Sequence, residues 1–472
     1  MADAMIPYPS EPDFWYPVLD TVRERYARAG REPDHLYPIW PIRMCNDIKD
    51  GMSLEAARAK HLRELDRALG LTTDPDTPQA HPGPLIGPLR LEGRVYVDNS
   101  GPVLPLFCHF GEAFSAFVRR PDDVRRQLDA IANGGYHGIR FWDVLGYYDA
   151  AWRGREVTPI AFPSRANAHV PATPSYYDHL AAFLHACHDR QLKVMHDRGD
   201  LNSWSISQKR AHLRDVGALY KSLGAMGHDV LAGLWACNES WQNGVDTPDE
   251  AIGMLHAFEQ GAGGLPAIRG LSAPAEQEEL EPLRAWSQHP ATVVTIHPLR
   301  DRNRKRMLEH YFTDGYGACQ AIGKPGWMTE PIGPGSGVTV GQENDPEMLA
   351  LLAAISLVAG QAYTYMSSPG VFWDSPIEEQ PGFHETVSLV ESLPFDLMRW
   401  HTIHHSGERW RGTRVFVAND HERCDGVQHR DGRFVYVLYG ERGVPSLPAE
   451  RAAHVETVYS GRIGSVVMGQ VR

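Results

Sequence analysis

The sequence lacks several things, and each absence removes a class of function. It has no run of eighteen apolar residues, so nothing in it reads as a helix that crosses a bilayer. No Gly-x-Gly-x-x-Gly follows its first strand-like run, which weakens a dinucleotide-binding reading. Its cysteines, Cys45, Cys108, Cys187, Cys237, Cys319 and Cys424, are dispersed, with no Cys-x-x-Cys and no zinc-like spacing. Several lie in apolar contexts and are expected to be reduced core thiols. Positive charge is scarce: 46 Lys and Arg against 59 Asp and Glu give 46 − 59 = −13. That balance argues against nucleic acid or an anionic membrane as the main partner. The start, Met1-Ala-Asp-Ala-Met-Ile-Pro-Tyr-Pro, lacks the basic-then-apolar order of a secretory signal. The expectation is a chain that begins in a cytoplasm, with lysis or carriage in an assembled particle as its routes out. Internal repeats and low-complexity tracts are absent.

What is present is an ordinary globular composition, 42% hydrophobic and 22% charged, in a chain of 472 residues. That is long enough for one large domain with additions. Residues 1–88 form a Pro- and Tyr-rich extension with two helical stretches, about 11–29 and 53–69, and a linker from Thr72 to Gly87. From Leu89 an alternating segment broken by Gly93 and Asn99-Ser-Gly101 predicts a hairpin. Then short apolar runs alternate with amphipathic stretches. Strands are expected at 104–110, 138–142, 192–196, 231–237, 267–271, 292–297, 326–329 and 362–366. Helices are expected between them at 122–133, 175–190, 207–223, 248–260, 275–288, 303–322 and 346–359, with a last one near 385–391. Such alternation implies a parallel sheet, and eight units of this size fit a closed (β/α)8 TIM barrel. The barrel with its hairpin is expected over 89–398. Segments 413–418, 433–439 and 453–459 alternate between turn residues, predicting a small C-terminal antiparallel β domain over 399–472.

The chemistry gathers at two strand ends. Val230-Leu-Ala-Gly-Leu-Trp-Ala-Cys-Asn-Glu-Ser-Trp241 is an apolar strand that stops at Asn238-Glu239. Gly326-Trp-Met-Thr-Glu330 stops at Glu330, 330 − 239 = 91 residues later. Barrel active sites are built at the C-terminal ends of strands, and a carboxylate there is costly to bury without a partner or a task. Two such carboxyl groups in one barrel are what glycoside hydrolysis requires. Arg140, inside the apolar run Gly138-Ile-Arg-Phe-Trp142, is expected to point inward onto a carboxylate.

On these residues the chain resembles the clan A glycoside hydrolases, retaining (β/α)8 enzymes of the cellulase and mannanase kind, over roughly 89–368. The resemblance implies that Glu239 after strand 4 is the acid/base and Glu330 after strand 7 the nucleophile. It further implies that Arg140 in Tyr136-His-Gly-Ile-Arg140 supports the nucleophile, and that His297 in Val293-Val-Thr-Ile-His297 is the strand 6 histidine. Asn238 would bond a sugar hydroxyl. A carbohydrate substrate, no cofactor and no metal are implied, and a phage- or bacteria-encoded origin is compatible with them. Three positions differ. The third strand ends Met195-His-Asp-Arg198 where many members carry a histidine, Leu299 replaces a tyrosine, and the eighth strand, ending Tyr363-Thr-Tyr365-Met-Ser-Ser368, has no clear tryptophan.

Other strand-end residues are weaker candidates for substrate contact: His109 and Glu112, Asp143 and Tyr147, Asp197, Arg198 and Asp200. Trp142, Trp241 and Trp373 could stack on sugar faces or simply pack, and Tyr363 or Tyr365 could floor the site. Two rival readings remain. Gly333-Pro-Gly-Ser-Gly337 could hold phosphate in another kind of barrel enzyme, though Pro334 removes a donor. Alternatively the barrel is non-catalytic, a carbohydrate-binding or virion assembly protein with an appended head. A metal-dependent hydrolase fits less well, because Phe107-Cys-His-Phe110 lacks a His-x-His.

Overall fold

The computed structural model describes residues 83–143, 174–198, 204–238, 244–264, 266–272, 292–295, 297, 304–331, 345–366, 376–404, 409–410, 413–414, 422–440, 447 and 452–471. The chain divides into two units, Met1–Gln79 and Ala80–Arg472. The expected helices at 11–29, 53–69 and 275–288 lie outside the described residues.

The hairpin comes first, β1 (Arg90–Glu92) and β2 (Val95–Val97), paired antiparallel. Gly93 makes its turn with φ +64°, a conformation that favours glycine. The next eight strands are β3 (Leu106–His109), β4 (Gly138–Trp142), β5 (Lys193–Asp197), β6 (Leu231–Trp235), β7 (Ile268–Ser272), β8 (Val293–Thr295), β9 (Gly326–Met328) and β10 (Gln361–Tyr365). They close into a barrel in sequence order, with β10 pairing both β9 and β3 and every pair parallel. All eight strands fall where the apolar runs predict them.

The described helices are α1 (Ala113–Arg119), α2 (Pro121–Asn133), α3 (Pro174–His188), α4 (Ile206–Ser222), α5 (Gly224–Val230), α6 (Pro248–Ala262), α7 (Arg304–Ile322), α8 (Pro346–Val358) and α9 (Phe383–Glu391). Their starts follow from local chemistry. Ser205 with Gln208 and Thr247 with Glu250 form capping boxes, and Asp345 caps α8 ahead of Pro346. Helices α4 and α6 approach closely because a Cβ on Gly217 or Gly261 would strike the carbonyl oxygens of Phe258 and Arg214. The short α1 and α5 were not expected. The Gly224-Ala-Met-Gly-His-Asp-Val230 sequence of α5 has weak helix propensity and is helical by tertiary context.

Alternation along the strands sorts side chains into two layers. Phe107, Met195, Ala232, Trp235, Ile268, Val293, Trp327 and Ala362 fill the interior. Trp327 sits in it with edge contacts to Tyr96 at 5.3 Å, Phe107 at 5.0 Å and Trp235 at 5.6 Å. Tyr96 comes from the hairpin, and its hydroxyl donates to the Gly326 carbonyl at 2.6 Å, so the hairpin plugs the barrel floor. A filled floor leaves the opposite mouth, at the strand C-termini, as the open end.

After a short 3-10 turn, Leu397–Arg399, the chain enters β11 (His401–His404), the short pair β12 (Arg409–Trp410) and β13 (Thr413–Arg414), then β14 (Glu422–Gln428), β15 (Arg433–Gly440), β16 (Ala452–Ser460) and β17 (Gly464–Val471). Five of them form an antiparallel sheet in the order β11-β14-β15-β17-β16. One face, with Val427, Val435, Val437, Tyr439 and Val466, joins the core around α8, which is why α8 is apolar on all sides. The other face packs Ile403, Cys424, Phe434, Tyr436 and Leu438. At the α8 N-terminus Glu347 accepts from the Ile463 amide at 2.5 Å, tying the β16–β17 turn to the mouth end of the barrel.

Candidate active site

Within β4, Ile139 and Phe141 go to the helix layer, which leaves Arg140 facing the interior. It is fully buried. A guanidinium there is tolerable only with anionic partners, and it has two. Its Nη2 donates to Asp197 Oδ2 at 2.7 Å and its Nε to the same oxygen at 3.2 Å. Its Nη1 donates to Glu330 Oε1 at 2.7 Å. Burial by itself disfavours the charge, but Asp197 and Glu330 outweigh it and raise the Arg140 pKa above its ordinary value.

The same fork sets two further groups. Nη2 also donates to Asn238 Oδ1 at 2.6 Å. Arginine has no acceptor, so the amide oxygen of Asn238 must face it, and what Asn238 presents elsewhere is its N–H end. Nη1 lies 3.3 Å from His109 Nδ1, which must therefore accept, putting the proton of a neutral His109 on Nε2. His297 lies on the other side of Glu330, with Nδ1 at 3.7 Å from Oε2 and Nε2 at 3.0 Å from Thr329 Oγ1. Trp142 completes the wall, its ring 5.7 Å from the Arg140 guanidinium and 5.0 Å from His109. Arg140, Asn238, His297, His109 and Glu330 are thus brought together, all buried, with Arg140 inside β4 and the others at or just past the ends of β3, β6, β8 and β9.

Three expected contacts are placed elsewhere. Asp143 faces the helix layer: its Oδ2 takes His212 Nε2 at 2.7 Å, His196 Nε2 at 3.0 Å and the Tyr176 hydroxyl at 3.2 Å. It is one residue past Trp142, on the other parity, so it braces α3, α4 and β5 rather than reaching the mouth. Tyr363 and Tyr365 are fully buried, with hydroxyls donating to the carbonyls of Leu349 and Pro381. Both point between barrel and helices, so neither floors the mouth. Glu239 and Trp241 lie outside the described residues, as do Tyr147, Asp200, Trp373 and the Gly333–Gly337 loop. Asp197 was the residue undervalued by sequence reading. Met195 packs inside, so Asp197, two residues on, shares its side, and this parity is the signal that could have found it.

The Asp143 cluster gives a pH prediction. Burial pushes its carboxyl up, but His212 and His196 outweigh this and hold it well below the usual carboxylate range. A carboxyl depressed in the folded state stabilises above its unfolded pKa, about 4, and that contribution is lost as pH falls. Acid unfolding followed by circular dichroism should show the loss below about pH 4. Asp143→Asn should lower stability at neutral pH by about 3 kcal/mol and flatten this acid limb. An unchanged limb would refute the assignment.

Among the described residues, no three or more His, Cys, Asp or Glu side chains group to hold a metal ion. No described helix is long and apolar enough to cross a membrane. Cys108, Cys187, Cys237, Cys319 and Cys424 are buried free thiols.

No protein-family model matches the chain, and no curated protein does. Solved structures do. One described as a glycoside hydrolase superposes with a TM-score of 0.54 at 12% identity, covering 82% of this chain and 97% of that one. The barrel is one it shares with glycoside hydrolases. A glycoside hydrolase family 5 structure from Bacteroides vulgatus gives a TM-score of 0.53 at 12% identity, over 81% of this chain and 93% of the other. At such identity the likeness is one of fold.

Proposed function

We propose that this protein is a retaining glycoside hydrolase that cleaves O-glycosidic bonds of an oligo- or polysaccharide by double displacement. The observation that carries the reading is Glu330, buried at a barrel strand end with Oε1 held by Arg140 at 2.7 Å beside Asn238, the residue before Glu239. Arg140 places a positive charge on Glu330 and orients its carboxylate group for attack. Glu330 attacks the anomeric carbon while Glu239 gives its proton to the leaving oxygen, and the C–O bond breaks as the glycosyl-enzyme ester forms. Glu239, now a carboxylate, takes a proton from water, whose oxygen attacks the same carbon and releases Glu330. The Asn238 N–H end suits a sugar hydroxyl close to the reacting carbon, where such bonds strengthen at the transition state.

The test is a panel of aryl glycosides, with product configuration followed by NMR. Net retention is expected, and a matched 2-deoxy-2-fluoro glycoside should leave a sugar on the peptide containing Glu330. Inversion, or a label on another carboxylate, would overturn the mechanism. No turnover across a broad panel of glycosides and polysaccharides would favour a non-catalytic barrel.

A further inference from the structure

Resting on the glycosidase reading, we infer that Asp197 is a positioning residue that sets, through Arg140, how much positive charge Glu330 feels. The Arg140 guanidinium is divided. Its Nε and Nη2 edge is given to Asp197 at 3.2 and 2.7 Å, and its Nη1 to Glu330 at 2.7 Å. Asp197 and Arg140 are fully buried, so no solvent screens the division. One cation between two carboxylates leaves the trio at 1 − 2 = −1.

The consequence is chemical. A carboxylate facing an undivided arginine is strongly stabilised as an anion, and an over-stabilised anion is a poor nucleophile. Asp197 withdraws part of that stabilisation while its two contacts lock the plane of the guanidinium. Locking also fixes Asn238, whose Oδ1 sits on the same Nη2. Among the described residues, the other titratable groups recorded against Arg140 and Glu330 are His109 from β3 and His297 after β8. Both are present in wild type and variant alike, so a change on removing the Asp197 charge alone is read against a constant background.

The experiment compares pH profiles of kcat/KM for wild type, Asp197→Asn and Asp197→Ser, with folding checked by thermal unfolding. In Asp197→Asn the whole Arg140 charge falls on Glu330. The acid limb should move to lower pH, and kcat for a glycoside with a poor leaving group should fall about 10-fold with KM little changed. Asp197→Ser should move the limb the same way, and Asp197→Glu should restore it in part. Folded variants whose profiles superimpose on the wild type would overturn the inference. Loss of folding in both Asn and Ser variants would assign Asp197 to structure alone and overturn it too. The glycosidase reading fails separately, if the wild-type protein turns over no glycoside or takes no label on Glu330.

Discussion

Glu330→Ala should reduce turnover by a factor on the order of 10⁴ or more, and Glu239→Ala should do so for a different reason. Without Glu330 no glycosyl-enzyme forms. Azide can enter the vacated space and attack directly, giving a glycosyl azide of inverted configuration. Without Glu239 the first step loses its acid, but an activated aryl glycoside leaves with little proton assistance. The ester on Glu330 then accumulates, because water lacks its base. Azide, which needs no deprotonation, should rescue this variant with retained configuration. Rapid-quench kinetics and mass spectrometry separate the cases. A burst of aryl product with a sugar on the Glu330 peptide is expected for Glu239→Ala and not for Glu330→Ala. Wild-type rates in either variant would end the two-carboxylate reading.

The second large effect is on stability. Arg140→Met roughly keeps the volume and removes the cation, so Asp197, Glu330 and Asn238 each lose a hydrogen bond from the guanidinium. Removing one partner of a buried ion pair costs about 3–5 kcal/mol. The Arg140 pKa is raised in the folded protein by Asp197 and Glu330, so its contribution is present at neutral pH and, on the basic side, is lost only as pH rises above the ordinary arginine range. Denaturant unfolding should show a lower midpoint with an unchanged slope, together with loss of glycosidase activity. The cost is expected to shrink in mild acid, where the stranded carboxyls can take protons. A midpoint equal to wild type at pH 7 would mean that the trio does not hold the β4, β5 and β9 ends together.

Much of this was legible from local pattern. The eight strand positions follow from apolar runs of four to seven residues bounded by turn and cap signals, because a strand covered on both faces has no room for polar side chains. Arg140 stood out for the same reason, as a charge inside such a run. Glu330 and Asn238 stood out because they end one. Asp143, Tyr363 and Tyr365 show where this logic stops. Being near a strand end fixes which end of the barrel a residue occupies, but one step along the strand exchanges the mouth for the helix layer. Asp143 took the helix side because His196 and His212 wait there, and the two tyrosines did so because the Leu349 and Pro381 carbonyls accept their hydroxyls.

The C-terminal sheet draws the same boundary from another side. β15 was visible as an alternating run, whereas β14, Glu422-Arg-Cys-Asp-Gly-Val-Gln428, reads as polar loop. It is a strand because β11 and β15 pair with it on both sides, and its charges are satisfied there: Arg423 donates to Asp425 at 3.2 Å and to Glu309 on α7 at 2.9 Å. The repeating strand-helix order, and hence a parallel barrel, is legible along the chain because hydrophobic periodicity is a local property of neighbouring residues. The joining of Asp197, Arg140, Asn238 and Glu330 into one hydrogen-bonded set arises on folding. Their partners lie 57, 98 and 190 residues from Arg140, and at such separations the contacts are fixed by barrel closure and side-chain parity rather than by anything a neighbouring residue encodes.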